Sequence, residues 1–216
     1  KLDPEFDGLG RYNLANANRL DYLLDIAEKK GIYIMLCMDS FSNLKNKGDL
    51  ARFKDYPYSS TQLGPCNSPE EFFTNPKAKG YYKKRLRYII ARYGYSTHLL
   101  AWEFWNEVDL TENYNPTNVE KWHQEMAQYA KELDAHKHLI TTSFAGTRGD
   151  DKVWEMPEID IVQSHMYNVL DTAQGVHDWC EQKANQFKKT HIFGEFGLDA
   201  GGKMENNDPT GIYLHN

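Results

Sequence analysis

Cysteine is scarce in this chain. Cys37, Cys66 and Cys180 are three in 216 residues, an odd and scattered set. They make no disulfide framework, and without a C-x-x-C spacing they make no zinc site; buried or incidental thiols are the expectation. No apolar run approaches the ~18 residues a membrane span needs. The first residues show no basic segment followed by an apolar stretch, so no leader peptide is read in them. Sequences of the H-E-x-x-H, G-x-S-x-G and Walker types are absent, which removes the commonest zinc-protease, serine-hydrolase and nucleotide-phosphate readings. Basic residues number 25 against 31 acidic, a net charge of −6, and they form no block. That balance argues against nucleic acid as the main partner. Internal repeats, low-complexity tracts and linkers are also missing, so one domain is expected across residues 1–216.

What is present is an alternation of helical and strand-like segments. Residues 13–30 carry Leu14, Ala17, Leu20, Leu24 and Ala27 at helical spacing, with Gly31 as a stop. Residues 32–38 (IYIMLCM) are a continuous apolar run of strand length, as a buried parallel strand requires. Residues 41–68 read as a long polar loop, and 69–93 as a helix with Ser68 as N-cap. A second buried strand spans 99–108 (LLAWEFWNEV). A helix over 117–135 follows, with Thr117 and Glu120 as a capping box. Further strands are expected at 138–144, 159–166 and 191–196, with a helical turn within 146–157, a helix at 172–189 and another beginning at Asp208. Five strands separated by helices imply a parallel sheet with right-handed crossovers. A doubly wound sheet and a (β/α)8 barrel both fit; the lack of a Gly-rich loop after the first strand weakens the former.

Chemistry concentrates at the strand ends. Trp105, Asn106 and Glu107 close the second strand, where parallel sheets place catalytic groups. Apolar neighbours such as Trp105 and Val108 favour a protonated carboxyl, as a general acid requires. Adjacent strand residues point to opposite faces, so Asn106 and Glu107 share a site only if the strand bulges or ends there. A second carboxylate, Glu195, lies between Gly194 and Phe196 in the fifth strand, a costly place without partners. The two would converge at the rim as a nucleophile and an acid/base, which retaining glycosidases hold ~5–5.5 Å apart. His165 and Tyr167, two apart at the end of the fourth strand, share a face. Tyr167 is placed to hydrogen-bond Glu195, and His165 to bind a substrate hydroxyl. Phe41 and Phe144, at the ends of the first and third strands, are weaker candidates for substrate contact, as are Asp39, Ser40 and Ser143. Glu103, deeper in the second strand, is expected to find a polar partner and to do no chemistry. His136 and His138 have no further ligand at metal spacing, so no metal site is expected.

A strand ending Trp105-Asn106-Glu107, a later His165-x-Tyr167 and a still later Gly194-Glu195-Phe196-Gly197 resemble the retaining glycoside hydrolases of clan A, especially family 5-like β-glycanases of cellulase and mannanase type. The resemblance implies an α/β fold of the (β/α)8 TIM-barrel type. It assigns Glu107, after the fourth barrel strand, the acid/base role and Glu195, after the seventh, the nucleophile role. It makes Asn106 the contact to the sugar 2-hydroxyl, sets Tyr167 beside the nucleophile, and implies no metal or organic cofactor. The family's usual Asn-Glu-Pro is not kept, since Val108 follows Glu107.

By the same alignment the five strands are the third to seventh of the barrel, so a partial barrel is expected and the chain looks like a fragment. Residues 1–8 read as a tag remnant or disordered lead-in. The open sheet edges predict a homo-oligomer. The expected partner is an oligo- or polysaccharide, with neither nucleic acid nor membrane, and the parent enzyme is expected to be secreted. Gluco-, manno-, galacto- and xylo-configured sugars all remain open, as do endo and exo attack. The alternative is an inactive barrel fragment that at most binds carbohydrate. A third reading, a doubly wound domain, would leave Glu107 and Glu195 far apart.

Overall fold

The computed structural model describes residues 7–169 and 171–197. The helix expected to begin at Asp208 lies outside them. Helix α1 (Leu14–Lys30) is capped by the Asn13 side chain, which accepts from the Asn16 N–H, and ends at Gly31 in the left-handed region. Strand β1 (Ile34–Ser40) starts and ends two residues later than its apolar run suggests. The segment that follows is no solvated loop. It winds through three short 3-10 turns and buries Phe41, Leu44, Phe53, Tyr56, Tyr58 and Cys66.

The expected helix over 69–93 is two, α2 (Glu71–Thr74) and α3 (Pro76–Tyr93). Asn75, not Ser68, caps α3: its side chain accepts from the Lys77 and Ala78 N–H groups, and Pro76 fills the first helical position. The same Asn-Pro device starts α4 (Pro116–Leu133), capped by Asn115 in place of the expected Thr117–Glu120 box. Helix α5 (Asp151–Glu155) is a single turn and α6 (Thr172–Phe187) begins at its Asp171 cap.

Strand β2 (Leu99–Asn106) pairs in parallel with β1 on one side and with β3 (Leu139–Thr141) on the other. The third expected strand is broken at Thr142. Its second piece, β4 (Ser143–Phe144), pairs instead with β5 (Ile161–Tyr167), which pairs with β6 (Thr190–Gly197). Two parallel three-stranded sheets result, β1-β2-β3 and β4-β5-β6, joined through the broken strand. This is part of an α/β barrel, with no closed barrel among the described residues.

Beneath α3 and α4, Phe72, Tyr82, Trp105 and Trp122 are wholly buried, with ring centroids 4.8 Å apart for Tyr82–Trp122 and 5.3 Å for Phe72–Trp105. Helix α4 buries Val119, Trp122, His123, Met126, Ala127 and Ala130, one residue in every three or four, as a helix with one apolar stripe must. The Arg85 guanidinium reaches from α3 to the Asp39 carboxylate at 2.8 Å, with 4% and 0% of the two side chains exposed. Asp39 also accepts from the Tyr56 hydroxyl at 2.8 Å and the Asn43 amide at 3.1 Å, so its charge is structurally committed.

Candidate active site

The sheet's inner face carries a ladder of polar side chains. Glu103 of β2 is buried and accepts from the Gln163 amide at 3.0 Å, the polar partner expected for it. Burial raises its carboxyl above the ordinary value, while hydrogen bonds from Ser143, Cys37 and Gln163 oppose that rise. Gln163 in turn accepts from the Thr141 hydroxyl at 3.1 Å. One layer above, the ladder ends in Glu107, His165 and Glu195.

Each of these three reaches the rim for a local reason. β2 stops at Asn106, and Glu107 enters the left-handed region at φ 57°, ψ 52°. The extended alternation therefore ends between them, and side chains from both neighbours meet the same rim: Asn106 Oδ1 lies 3.4 Å from the Ser143 hydroxyl and Glu107 Oε1 lies 2.9 Å from His165 Nδ1. On β6 the register slips by one residue. Ser164 faces Phe193, His165 faces Glu195, and Gly194 is the extra residue between. The slip sets Glu195 directly beside His165. A Cβ on Gly194 would lie 2.6 Å from Gln163 Nε2 and 3.2 Å from His165 Nε2, so any larger residue at the bulge must displace these two side chains.

His165 Nδ1 stands 2.9 Å from Glu107 and 3.8 Å from Glu195. The Tyr167 hydroxyl donates to Glu195 Oε2. Ligand atoms of Glu107, His165 and Glu195 all fall within 4.8 Å of one another, the one such trio among the described residues. That spacing would also admit a cation, but the facing carboxylate oxygens already take hydrogen bonds from an imidazole and a phenol, which an ion would have to displace. The His165 side chain is wholly buried, Glu107 is 12% exposed and Glu195 44%. Asp109, in the turn after Glu107, accepts from the Ala145 N–H at 2.8 Å; burial pushes its carboxyl up, and the Glu107 charge adds to the rise.

The structure thus brings together Glu107, Glu195, Asn106, His165 and Tyr167. It does not bring the three other candidates to the open rim. Trp105 is wholly buried and packs on Phe72, Phe73 and Trp122. Phe144 is buried against Trp154 at 5.2 Å, and Phe41 is 8% exposed beneath Lys45. One neighbour of the cluster escaped the sequence reading: Asp109 carried no signal beyond its closeness to Glu107. Ser143, a weaker candidate for substrate contact, is instead wholly buried and bonded to the backbone of Glu107.

Five parallel strand positions with helices over one face define part of a TIM barrel, and the polar cluster lies at its strand C-termini. The sequence matches the family described as "Cellulase (glycosyl hydrolase family 5)" over residues 3–212. The chain belongs to glycosyl hydrolase family 5. It is 29% identical over 150 residues to mannan endo-1,4-beta-mannosidase 3 of Oryza sativa subsp. japonica, covering 65% of this chain and 31% of that protein. It is 29% identical over 180 residues to mannan endo-1,4-beta-mannosidase 5 of Solanum lycopersicum, covering 76% of this chain and 42% of that protein. The chain therefore spans less than half the length of these curated relatives. Among solved structures, the endo-beta-1,4-mannanase of Thermotoga petrophila superposes with a TM-score of 0.63 over 86% of this chain and 46% of that one, at 20% identity, a likeness of fold.

Proposed function

We propose that this chain carries the catalytic pair of a retaining glycoside hydrolase acting on β-linked glycans, with β-1,4-mannan as the first substrate to test. The observation that carries the reading is the closeness of two carboxylates, with one oxygen of each within 4.8 Å of the other. Inverting enzymes separate the pair by about 6.5–9.5 Å to admit a water, whereas retaining enzymes hold it at about 5–5.5 Å. Glu195 attacks the anomeric carbon while Glu107 passes its proton to the leaving glycosidic oxygen. The glycosyl–Glu195 ester then reacts with a water whose proton returns to Glu107, and Glu195 leaves as carboxylate. Tyr167 orients Glu195, His165 orients both carboxylates, and Asn106 presents its amide to a sugar hydroxyl. The mannan assignment rests on the names of the two plant relatives. The reading extends to a secreted parent enzyme and to self-association through the β1 and β6 edges, which sedimentation at several concentrations tests.

Hydrolysis of mannan and aryl β-mannosides by the chain, with Glu195→Gln and Glu107→Gln alongside, tests the central claim. Turnover is expected in the native chain and lost in Glu195→Gln. Glu107→Gln should lose about a hundred- to ten-thousand-fold on glycan, the usual range for general acid–base help. Glycan binding without turnover by the native chain would favour the inactive-fragment reading.

A further inference from the structure

The broken third strand has an unusual consequence at the rim. The ladder between β2 and β3 runs as far as Glu103 and Thr141. Beyond it, where Glu107 must be held, side chains bridge the seam. The Thr142 hydroxyl donates to the Trp105 carbonyl at 3.4 Å, and the Asp109 carboxylate takes the Ala145 N–H at 2.8 Å. Between them sits Ser143, wholly buried. Its oxygen accepts the Glu107 N–H at 3.0 Å, while its proton is within reach of the Trp105 carbonyl at 3.3 Å and Asn106 Oδ1 at 3.4 Å.

One hydroxyl therefore touches the backbone of the acid/base and the amide beside it. A non-glycine residue in the left-handed region is strained and persists only where its surroundings fix it. At Glu107 the fixing contacts are this N–H bond and the turn closed by the Leu110 N–H on the Glu107 carbonyl at 3.0 Å.

We propose that Ser143 is a positioning residue for the acid/base, its buried hydroxyl fixing the Glu107 backbone and the Asn106 amide together so that the Glu107 carboxyl faces the leaving group. The proposal rests on the glycosidase reading above, and its test separates the two. The native chain, Ser143→Ala and Ser143→Cys are compared on aryl β-mannobiosides with dinitrophenyl and phenyl leaving groups. Dinitrophenolate departs without a proton; phenolate needs one, so only the latter senses the aim of Glu107. Ser143→Ala is expected to lower kcat/KM for the phenyl substrate about 10- to 100-fold and for the dinitrophenyl substrate less than about 3-fold. Ser143→Cys fills nearly the same space with a weaker hydrogen-bonding group, so it is expected to fall between, and it carries the same test if the alanine variant does not fold. Equal losses on both substrates, or no loss on either, overturn the proposal and leave the glycosidase reading standing. No turnover of either substrate by the native chain overturns that reading, and the proposal with it.

Discussion

β1, β2 and β3 lie under two long helices, α3 and α4, with four wholly buried rings and a buried ion pair filling the space between, whereas β4, β5 and β6 lie under α5 and α6. Of the sixteen residues of α6 only Thr172, Lys183 and Phe187 are buried, and β6 leaves Phe196 52% exposed. The two carboxylates follow their strands: Glu107 stands on the enclosed half and Glu195 on the open one, with 12% and 44% of the side chain exposed. On the proposed reading Glu107 is the proton donor, which must be aimed, and aim comes from a rigid support. Glu195, the nucleophile on that reading, instead accepts directly from the Tyr167 hydroxyl. The difference suggests that stability resides mainly in the first half, and that the second half is where small changes are felt in activity.

The sharpest way to break that comparison is to unpair the buried charge of the first half. Asp39→Ala takes the buried carboxylate away from the Arg85 guanidinium, and an expected loss of about 3–5 kcal/mol should appear as a lower urea midpoint. A stability unchanged within error would refute the account of Asp39.

Acid should weaken the same half next. Burial holds the His123 imidazole down to about 4 against an ordinary 6.5. Its ring is wholly buried, close to the Thr142 hydroxyl and the Val119 carbonyl. The folded chain thus resists protonation that the unfolded chain accepts, so stability is full above the ordinary histidine range and falls as pH drops toward about 4. The expected loss over that window is on the order of 3 kcal/mol from this residue. His191, also held down to about 4 by burial and then by the Lys183 charge, acts in the same direction. Thermal melts across the window should show the decline, and His123→Gln should flatten it; an unchanged slope in that variant would assign the effect elsewhere.

The smallest stability change, and the most telling for the second half, is Gly194→Ala. The added methyl must displace Gln163 and His165, an overpacking of about 1–3 kcal/mol. Turnover should suffer more than the melting temperature, since His165 is the link between the two carboxylates. Turnover equal to that of the native chain would mean that the β6 bulge does not set the site.

Much of this was legible in the residues. Continuous apolar runs ending in Asn106-Glu107, His165-x-Tyr167 and Gly194-Glu195 mark parallel strands and what stands at their ends, because strand polarity fixes which end faces the site. The Asn75-Pro76 and Asn115-Pro116 pairs were also there to be read: an Asn cap followed by Pro at the first helical position is a stronger start signal than a Ser or a capping box one turn away. Other features had no local signature. Trp105, next to Asn106 and Glu107 in sequence, turns into the α2–α4 layer because Phe72, Phe73 and Trp122 offer it a dry, aromatic pocket. Residues 41–68 look polar, yet their scattered Phe and Tyr side chains pack into the core. The break at Thr142 falls where the pairing passes from β2 to β5.

The sequence alone determined the order of strands and helices, the family, and which carboxylates stand at strand ends, since periodicity and strand polarity are local properties of the chain. Tertiary structure alone decided which strand-end groups meet. The left-handed turn at Glu107, the slip at Gly194 and the hydroxyl of Ser143 each depend on a neighbouring strand to fix a conformation that the local sequence would not hold by itself.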